Sequence, residues 1–482
     1  MENWLTKRAM LTPDRMAVRF ENTTLTFAEM RQRVLTIAGQ ITQHIDNNER
    51  IALITPNNLT GYLMILAVQQ LDKTVVLLNR RLSPREMTFQ LDDAAITTVI
   101  QDDRFEGELP VKQVTFAEVL ATNADAVDPV ADFDLDKVTS IMYTSGTTGN
   151  PKGVMQTFGN HFYSAVGSAL NLGLTPDDVW LAAVPIFHIS GLSIMMRSLI
   201  YGMGVSLYER FDVEKINAEL MAGQVTTISV VPVMLKQLLA QLSEGAKYHE
   251  RFRTMLLGGG PTDLTTLEKA TAAGIEIVQS YGMTETASQV IALDAASATK
   301  KLGSAGKPLF PVEVRIQKAK ETDQVGRIQI KSPTLAVGYL NRPDKYAESF
   351  VDGWFDTGDM GWLDDDGFLY VEGREGDMIS SGGENVFPDE IESVYGEATA
   401  IDQISVVGIP DERWGAVPVA FLSFKPGEAM DFASLRTFGR DRLAHYKVPA
   451  RFFVTDKFPR TASGKIQRHK LRNQLDEAQE VK

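Results

Sequence analysis

The sequence predicts an α/β fold: a large N-terminal domain of helix-covered sheets with a β-rich subdomain, followed by a small α+β C-terminal domain. Three observations predict it. From the N-terminus to about Gly303, short apolar strand-like runs alternate with helix-length runs, the pattern of a parallel sheet covered by helices. The texture then changes to short strands punctuated by turn residues. After Gly373-Arg374-Glu375-Gly376-Asp377 the alternation resumes on a smaller scale over about 105 residues, enough for an independent compact domain. At 482 residues the chain exceeds what one core usually serves. The domain boundary is accordingly placed to give 1–374 and 375–482.

Taken in order, Thr26-Phe27-Ala28-Glu29 is a capping box, and Met30, Val34, Ile37 and Ile41 continue it at helical spacing, so a helix is expected from Phe27 to about His44. Residues 51–55 then read as a buried strand, 59–71 as a helix and 74–78 as a strand. Ser83-Pro84-Arg85-Glu86 repeats the start signal, with Ser at the N-cap, Pro at the first helical position and Glu two residues on. Residues 121–136 are acidic and aperiodic, a surface connection. Strands are expected again at 180–184, 205–208, 227–231, 254–257 and 275–279, with helical stretches such as 213–221 between them. In an open parallel sheet the loops at the carboxyl ends of the strands converge on one crevice. Residues 312–317, 326–331 and 368–372 supply the short strands of the β-rich part.

Composition narrows the function classes. Lysine and arginine number 48 against 62 acidic residues, a net charge of −14, which disfavours nonspecific binding to nucleic acid or anionic membrane. The absence of cysteine excludes disulfides, thiolate metal sites and cysteine nucleophiles together. No apolar run follows Lys7 and Arg8, so no secretory signal is readable and a cytoplasmic location is expected. The most membrane-like run, 189–208, carries Arg197 and three glycines, which makes it a buried helix and strand rather than a span.

The stretch around which the chain is organised is Tyr143-Thr144-Ser145-Gly146-Thr147-Thr148-Gly149-Asn150-Pro151-Lys152-Gly153-Val154. It follows the strand-like Val138, Ile141 and Met142, and its glycines, hydroxyls and lysine offer the donors that a polyphosphate needs. A Walker A loop requires Gly before the Lys and a hydroxyl residue after it; here Pro151 and Gly153 occupy those positions, so that reading fails. Alone, such a stretch is ordinarily a flexible linker. Four others accompany it: Leu257-Gly258-Gly259-Gly260-Pro261, Gln279-Ser280-Tyr281-Gly282-Met283-Thr284-Glu285-Thr286, Trp354-Phe355-Asp356-Thr357-Gly358-Asp359 and Pro459-Arg460-Thr461-Ala462-Ser463-Gly464-Lys465-Ile466. Together they supply a phosphate cradle, an adenine shelf, a metal carboxylate, a ribose carboxylate and a cation.

With these five motifs in this order, the sequence resembles the adenylate-forming superfamily of acyl-CoA synthetases, amino-acid adenylation domains and luciferases over essentially its whole length. The resemblance implies a mobile C-terminal domain and a reaction in two halves: a carboxylate attacks the α-phosphate of ATP, and a thiol then displaces AMP. It implies that Thr144, Ser145, Gly146, Thr147, Thr148 and Lys152 hold the pyrophosphate portion, with Gly259 and Gly260 close to the nucleotide and Tyr281 stacked on adenine. Thr284 would contact the α-phosphate, Glu285 with Thr144 would bind Mg²⁺, and Asp359 with Arg374 nearby would take the ribose hydroxyls. Lys465 would bridge the α-phosphate and the attacking carboxylate. The family usually carries a charged residue at the pivot of the small domain; here that position is Gly376, followed by Asp377. Glycine keeps rotation available, whereas a salt bridge from that position is lost.

Pro185-Ile186-Phe187-His188-Ile189-Ser190-Gly191 separates the branches. Amino-acid adenylation domains place Asp where His188 stands, and no carrier-protein domain is appended, so free coenzyme A is the expected thiol. His188 lines the acyl pocket in this reading; a core histidine is the alternative. The stretches 156–161, 257–261, 279–286 and 381–385 resemble most the o-succinylbenzoate–CoA ligase branch of menaquinone synthesis. That substrate keeps a second carboxylate on its ring, for which Arg197 is the first candidate and Thr284, Ser288 and His188 are the next; a structural arginine snorkelling from its helix is the competing reading of Arg197. The expected partners are a small carboxylic acid, ATP and CoA, with Mg²⁺, and no nucleic acid or membrane insertion; a homo-oligomer is compatible with the sequence. Rival functions are a CoA ligase for another aryl or fatty acid and a non-catalytic nucleotide-binding regulator.

Overall fold

The structure, a computed structural model, describes residues 1–482 except 83, 145–150, 244, 259–261, 263, 321, 382–383, 412–413, 444, 461–465, 476–477 and 482, together with the side chains of 84, 380, 384, 385 and 469. It divides into two compact units, residues 1–314 with 331–354, and residues 315–330 with 355–482.

The first unit holds two sheets. One runs Gly338–Tyr339, Lys152–Thr157, Val138–Thr144, Thr74–Leu78, Arg50–Ile54, Thr98–Gln101, Lys112–Thr115, parallel from Val138–Thr144 onward. The other places Ile277–Met283, Thr254–Leu257, Thr227–Val230, Val179–Ala182, Gly204–Leu207 and Met16–Phe20 side by side in parallel, with antiparallel neighbours at either end. The strands expected at 74–78 and 254–257 have those bounds, and the helix expected at 213–221 is Val213–Met221. The membrane-like run is helix Ile189–Tyr201 followed by strand Gly204–Leu207, both largely buried. Helix Leu59–Gln70 is buried on nearly every side, which explains why its sequence is apolar all round rather than amphipathic.

Local chemistry explains the ends. Thr26 and Glu29 form the expected reciprocal cap, Glu29 N–H donating to Thr26 Oγ1 at 3.2 Å and Thr26 N–H to Glu29 Oε2 at 2.8 Å. The helix stops at Ile41 rather than near His44, because the amides of Gln43 and His44 bond three residues back, to Gln40 and Ile41, and tighten the last turn. The helix expected after Ser83 is Pro84–Asp93, although Ser83 lies outside the described residues.

The second unit gathers the short strands Glu313–Gln317, Gly326–Lys331, Trp354–Leu363 and Leu369–Arg374. It continues into a sheet of Glu384–Val386, Ile379–Ser381, Gly415–Phe424, Arg451–Val454 and Gln479–Glu480, with Ile401–Asp411 along Gly415–Phe424. Helices Pro388–Gly396 and Phe432–Arg440 cover this sheet around Ile391, Tyr395, Val406, Ala420 and Leu435. Among the described residues no helix is long and apolar enough to cross a membrane.

Candidate active site

The donor-rich stretch begins where Val138–Thr144 ends, and the chain comes back as Lys152–Thr157, antiparallel to it, with Thr144 opposite Lys152. A Walker A loop leads from a strand into a helix; this one joins two neighbouring strands, so its two ends are held side by side. Ser145, Gly146, Thr147 and Thr148 lie outside the described residues, as do Gly259, Gly260 and Lys465.

On the far side of Lys152–Thr157 a third strand, Gly338–Tyr339, pairs through Tyr339 opposite Val154. The Lys152 ammonium sits 4.6 Å from the centre of the Tyr339 ring, and the Tyr339 hydroxyl donates to Glu285 Oε1 at 3.0 Å. Tyr339 thus stands between the expected pyrophosphate cation and the expected metal carboxylate. Sequence reasoning missed it. Only the pairing of a two-residue strand with a segment far upstream puts it there.

Tyr281 belongs to strand Ile277–Met283, which runs beyond its expected end at 279 because Ser288–Leu293 returns antiparallel and pairs with residues 279–283. Thr284 and Glu285 follow in the 3₁₀ turn Thr284–Thr286. The turn is held from below: the His161 Nε2–H donates to Ser140 Oγ (3.0 Å), the Ser140 hydroxyl to Gln156 Oε1 (3.1 Å), and Gln156 Nε2 to the Thr284 carbonyl (2.5 Å). His161 is fully buried, and burial, followed by the Arg197 charge, pushes its pKa down to about 3. It is a neutral donor at physiological pH. The backbone then passes through Ala287 at φ 51° and Ser288 at φ 108°, left-handed conformations that side-chain-bearing residues rarely adopt. Gly282 packs so closely that a Cβ there would lie 2.1 Å from the Ser288 carbonyl oxygen.

Arg197 does not snorkel. It is 1% exposed, its Nη2 donates to Ser288 Oγ at 3.3 Å, and its guanidinium lies 5.2 Å from the Trp180 ring centre. Burial pulls its pKa below the usual arginine range, with the electrostatic interaction with Tyr201 acting the other way. Its Nε has no partner, and among the described residues no carboxylate pairs with it. A buried guanidinium without a counter-charge is costly.

His188 is the residue before helix Ile189–Tyr201. Asn57 ties the preceding segment, donating to the Val184 carbonyl (2.7 Å) and accepting from Ile186 N–H (2.8 Å). Gly191 lets that segment fold back, since a Cβ there would meet the Pro185 carbonyl oxygen at 2.3 Å. Burial, then the charge of Arg81, lowers the His188 pKa to about 4, and its Nε2 has no partner among the described residues.

In the second unit Asp359 and Arg374 face each other on adjacent antiparallel strands, Arg374 Nε donating to Asp359 Oδ1 at 2.8 Å. Gly376 and Asp377 lie in the 3₁₀ turn Glu375–Asp377.

Comparison with known proteins bears directly on this chemistry. The AMP-binding enzyme profile matches residues 5–340, and the AMP-binding enzyme C-terminal domain profile matches 390–465. The chain belongs to the AMP-binding enzyme family. It is 48% identical over 473 residues to the 2-succinylbenzoate–CoA ligase of Listeria monocytogenes, covering 98% of this chain and 99% of that one. Among solved structures it resembles the o-succinylbenzoate CoA synthetase of Bacillus subtilis, 42% identical. The complex of that enzyme with the acyl-adenylate OSB-AMP aligns at TM-score 0.94 over 100% of this chain and 99% of the other. Its complex with ATP and magnesium aligns at 0.93 over 98% and 99%. A double mutant of the same enzyme with the product analogue OSB-NCoA aligns at 0.76, again over the full length of both chains. At one sequence identity and full coverage, scores of 0.94 and 0.76 show that these two structures of the Bacillus enzyme, one of them a double mutant, differ from each other.

Proposed function

We propose that this chain is an AMP-forming 2-succinylbenzoate–CoA ligase of menaquinone biosynthesis, working in the cytoplasm. The observation that carries the reading is the 48% identity to such a ligase over 98% of the chain. Arg197, buried beside Ser288 with no carboxylate pairing it among the described residues, adds a reason for a diacid substrate.

A carboxylate is a poor electrophile, so the reaction proceeds in two halves. In the first, the succinyl carboxylate oxygen attacks the α-phosphorus, the bond to the bridging oxygen breaks, and pyrophosphate leaves. In the second, the CoA sulfur attacks the acyl carbon, the bond to the AMP oxygen breaks, and the thiol proton passes to solvent. In this reading Thr144 to Thr148 and Lys152 bind the pyrophosphate portion, with Gly259 and Gly260 near the nucleotide. Tyr281 stacks on adenine and Thr284 touches the α-phosphate. Asp359, held by Arg374, accepts from the ribose hydroxyls. Lys465 meets the charge that develops between the α-phosphate and the incoming carboxylate.

Mg²⁺ fits the residues present. Among the described residues no group of three His, Cys, Asp or Glu side chains could hold a metal by itself, but Mg²⁺ needs only one or two carboxylates when substrate phosphates and waters complete its shell. Glu285, oriented by Tyr339, and the Thr144 hydroxyl are such hard oxygen donors. Bound there, the ion would neutralise phosphate charge. The ring carboxylate falls to Arg197, Ser288 and His188.

A panel of carboxylic acids with ATP, Mg²⁺ and CoA, read by mass spectrometry, tests the reading. o-Succinylbenzoate should give the thioester, AMP and pyrophosphate. Equal turnover of benzoates or fatty acids would assign a different ligase, and no pyrophosphate from any acid would leave a nucleotide-binding regulator.

A further inference from the structure

The turn Glu375-Gly376-Asp377 is anchored on both sides by arginines that the sequence reading did not consider. On its N-terminal side the Glu375 carboxylate pairs with Arg327 of strand Gly326–Lys331, and Arg327 also reaches Asp356 at 3.0 Å. Glu375 is thereby tied to the β-rich strands. On its C-terminal side the Asp377 carboxylate accepts from Arg468 Nη1 at 3.0 Å. Arg468 is itself fixed: its guanidinium donates to Asp389 and, at 2.8 and 3.1 Å, to Glu392. Glu392 in turn accepts from Val406 N–H at 2.7 Å and from Ser405 Oγ at 3.1 Å. Through Arg468, Asp377 is thereby tied to helix Pro388–Gly396 and strand Ile401–Asp411. Arg468 also lies three residues beyond Lys465, on the same chain segment.

Between the two anchors stands Gly376. A Cβ there would meet nothing within 4 Å, and its φ is not in the left-handed region. Neither packing nor backbone conformation requires glycine at this position in this structure. Its freedom is of use only if the backbone also visits another conformation.

We propose that Arg327 and Arg468 are a matched pair of positioning residues: they clamp Glu375 and Asp377 to the parts on either side and confine rotation of the C-terminal segment to the single residue Gly376. The proposal rests on the reading that this segment moves between the two half-reactions, with which the difference between the acyl-adenylate and product-analogue structures of the Bacillus subtilis relative agrees. A charged residue at the pivot would serve as its own latch. Here the charges stand one residue to either side, which leaves the pivot bare. The consequence is a swivel that is loose at one residue and stiff elsewhere, so that helix Arg468–Arg472 travels with Asp377 as one body.

The test measures the two half-reactions separately, pyrophosphate release from ATP and thioester formation from presynthesised acyl adenylate, together with the melting temperature. Glu375→Gln and Asp377→Asn each remove one clamp while retaining side-chain volume and leaving the half-buried Arg468–Glu392 pair in place. Each should slow adenylation about tenfold relative to thioester formation, since small misplacements of a reacting group are costly. Asp377→Glu, which restores the charge, should recover much of the loss. Gly376→Ala should keep or raise the melting temperature, having room for its methyl group, yet shift the ratio of half-rates. If both clamp variants leave that ratio unchanged while Gly376→Pro alters it, the moving segment stands and the clamps are overturned. If Gly376→Pro also leaves it unchanged, the pivot itself is misplaced and the underlying reading falls with the proposal.

Discussion

Arg197 shows how much one residue's meaning depends on depth. On a helix surface its charge would cost little and mean little, but at 1% exposure its guanidinium has given up water for one 3.3 Å contact to Ser288 and the face of Trp180. The ring carboxylate of o-succinylbenzoate is a counter-charge that would repay that loss. Arg197→Ala should raise KM for o-succinylbenzoate roughly ten- to a hundredfold, the equivalent of a charge-assisted contact of about 1.5–3 kcal/mol. The analogue without the ring carboxylate, 4-oxo-4-phenylbutanoate, should be little affected. A parallel loss with both acids would make Arg197 structural and pass the carboxylate to other donors. Neither His161 nor His188 can take over as a cation at neutral pH, because burial holds His161 near 3 and His188 near 4.

At the scale of elements, what organises the nucleotide end of the first unit is a row of three short strands and a turn: Val138–Thr144, Lys152–Thr157, Gly338–Tyr339 and Thr284–Thr286. Strand pairing puts Tyr339 beside Lys152, and the Tyr339 hydroxyl orients Glu285. Tyr339→Phe keeps the ring under the ammonium and removes only the hydroxyl. Titrated with Mg²⁺ at saturating ATP, the variant should need roughly three- to tenfold more of the ion, because the hydroxyl orients Glu285 without touching the ion and only part of the lost hydrogen bond's free energy reaches the metal. KM for ATP at saturating Mg²⁺ should move less than about twofold, because the ring contact to Lys152 survives. Shifts of equal size in both constants would show Tyr339 to be packing alone. The expected helices and parallel strands were legible because their periods and caps are local. The return strands Lys152–Thr157 and Ser288–Leu293 were not, since each is defined by the partner it meets.

For the whole molecule, the two half-reactions ask different things of the C-terminal segment, and Lys465 is the residue that should tell them apart. Lys465→Ala should slow acyl-adenylate formation by roughly 10²–10³, the usual cost of one preorganised electrostatic contact. Thioester formation from presynthesised acyl adenylate should be nearly untouched. Equal damage to both halves would remove that role. The compact units do not follow chain order: residues 315–330 join 355–482, because Gly326–Lys331 pairs with Trp354–Leu363 across the intervening segment.

The sequence by itself determined the element types through their periods and caps, and the chemistry through the order of five polar stretches whose residue types suit an adenylate-forming reaction. Those properties are written locally, within a few residues of one another. Tertiary structure alone decided that Arg197 is buried without a carboxylate among the described residues, that Tyr339 stands between Lys152 and Glu285, and that Gly376 is flanked by two arginine clamps. Each joins residues from about 50 to nearly 190 positions apart, and a contact at that separation is set by how strands pair and how the core closes, which no local period records.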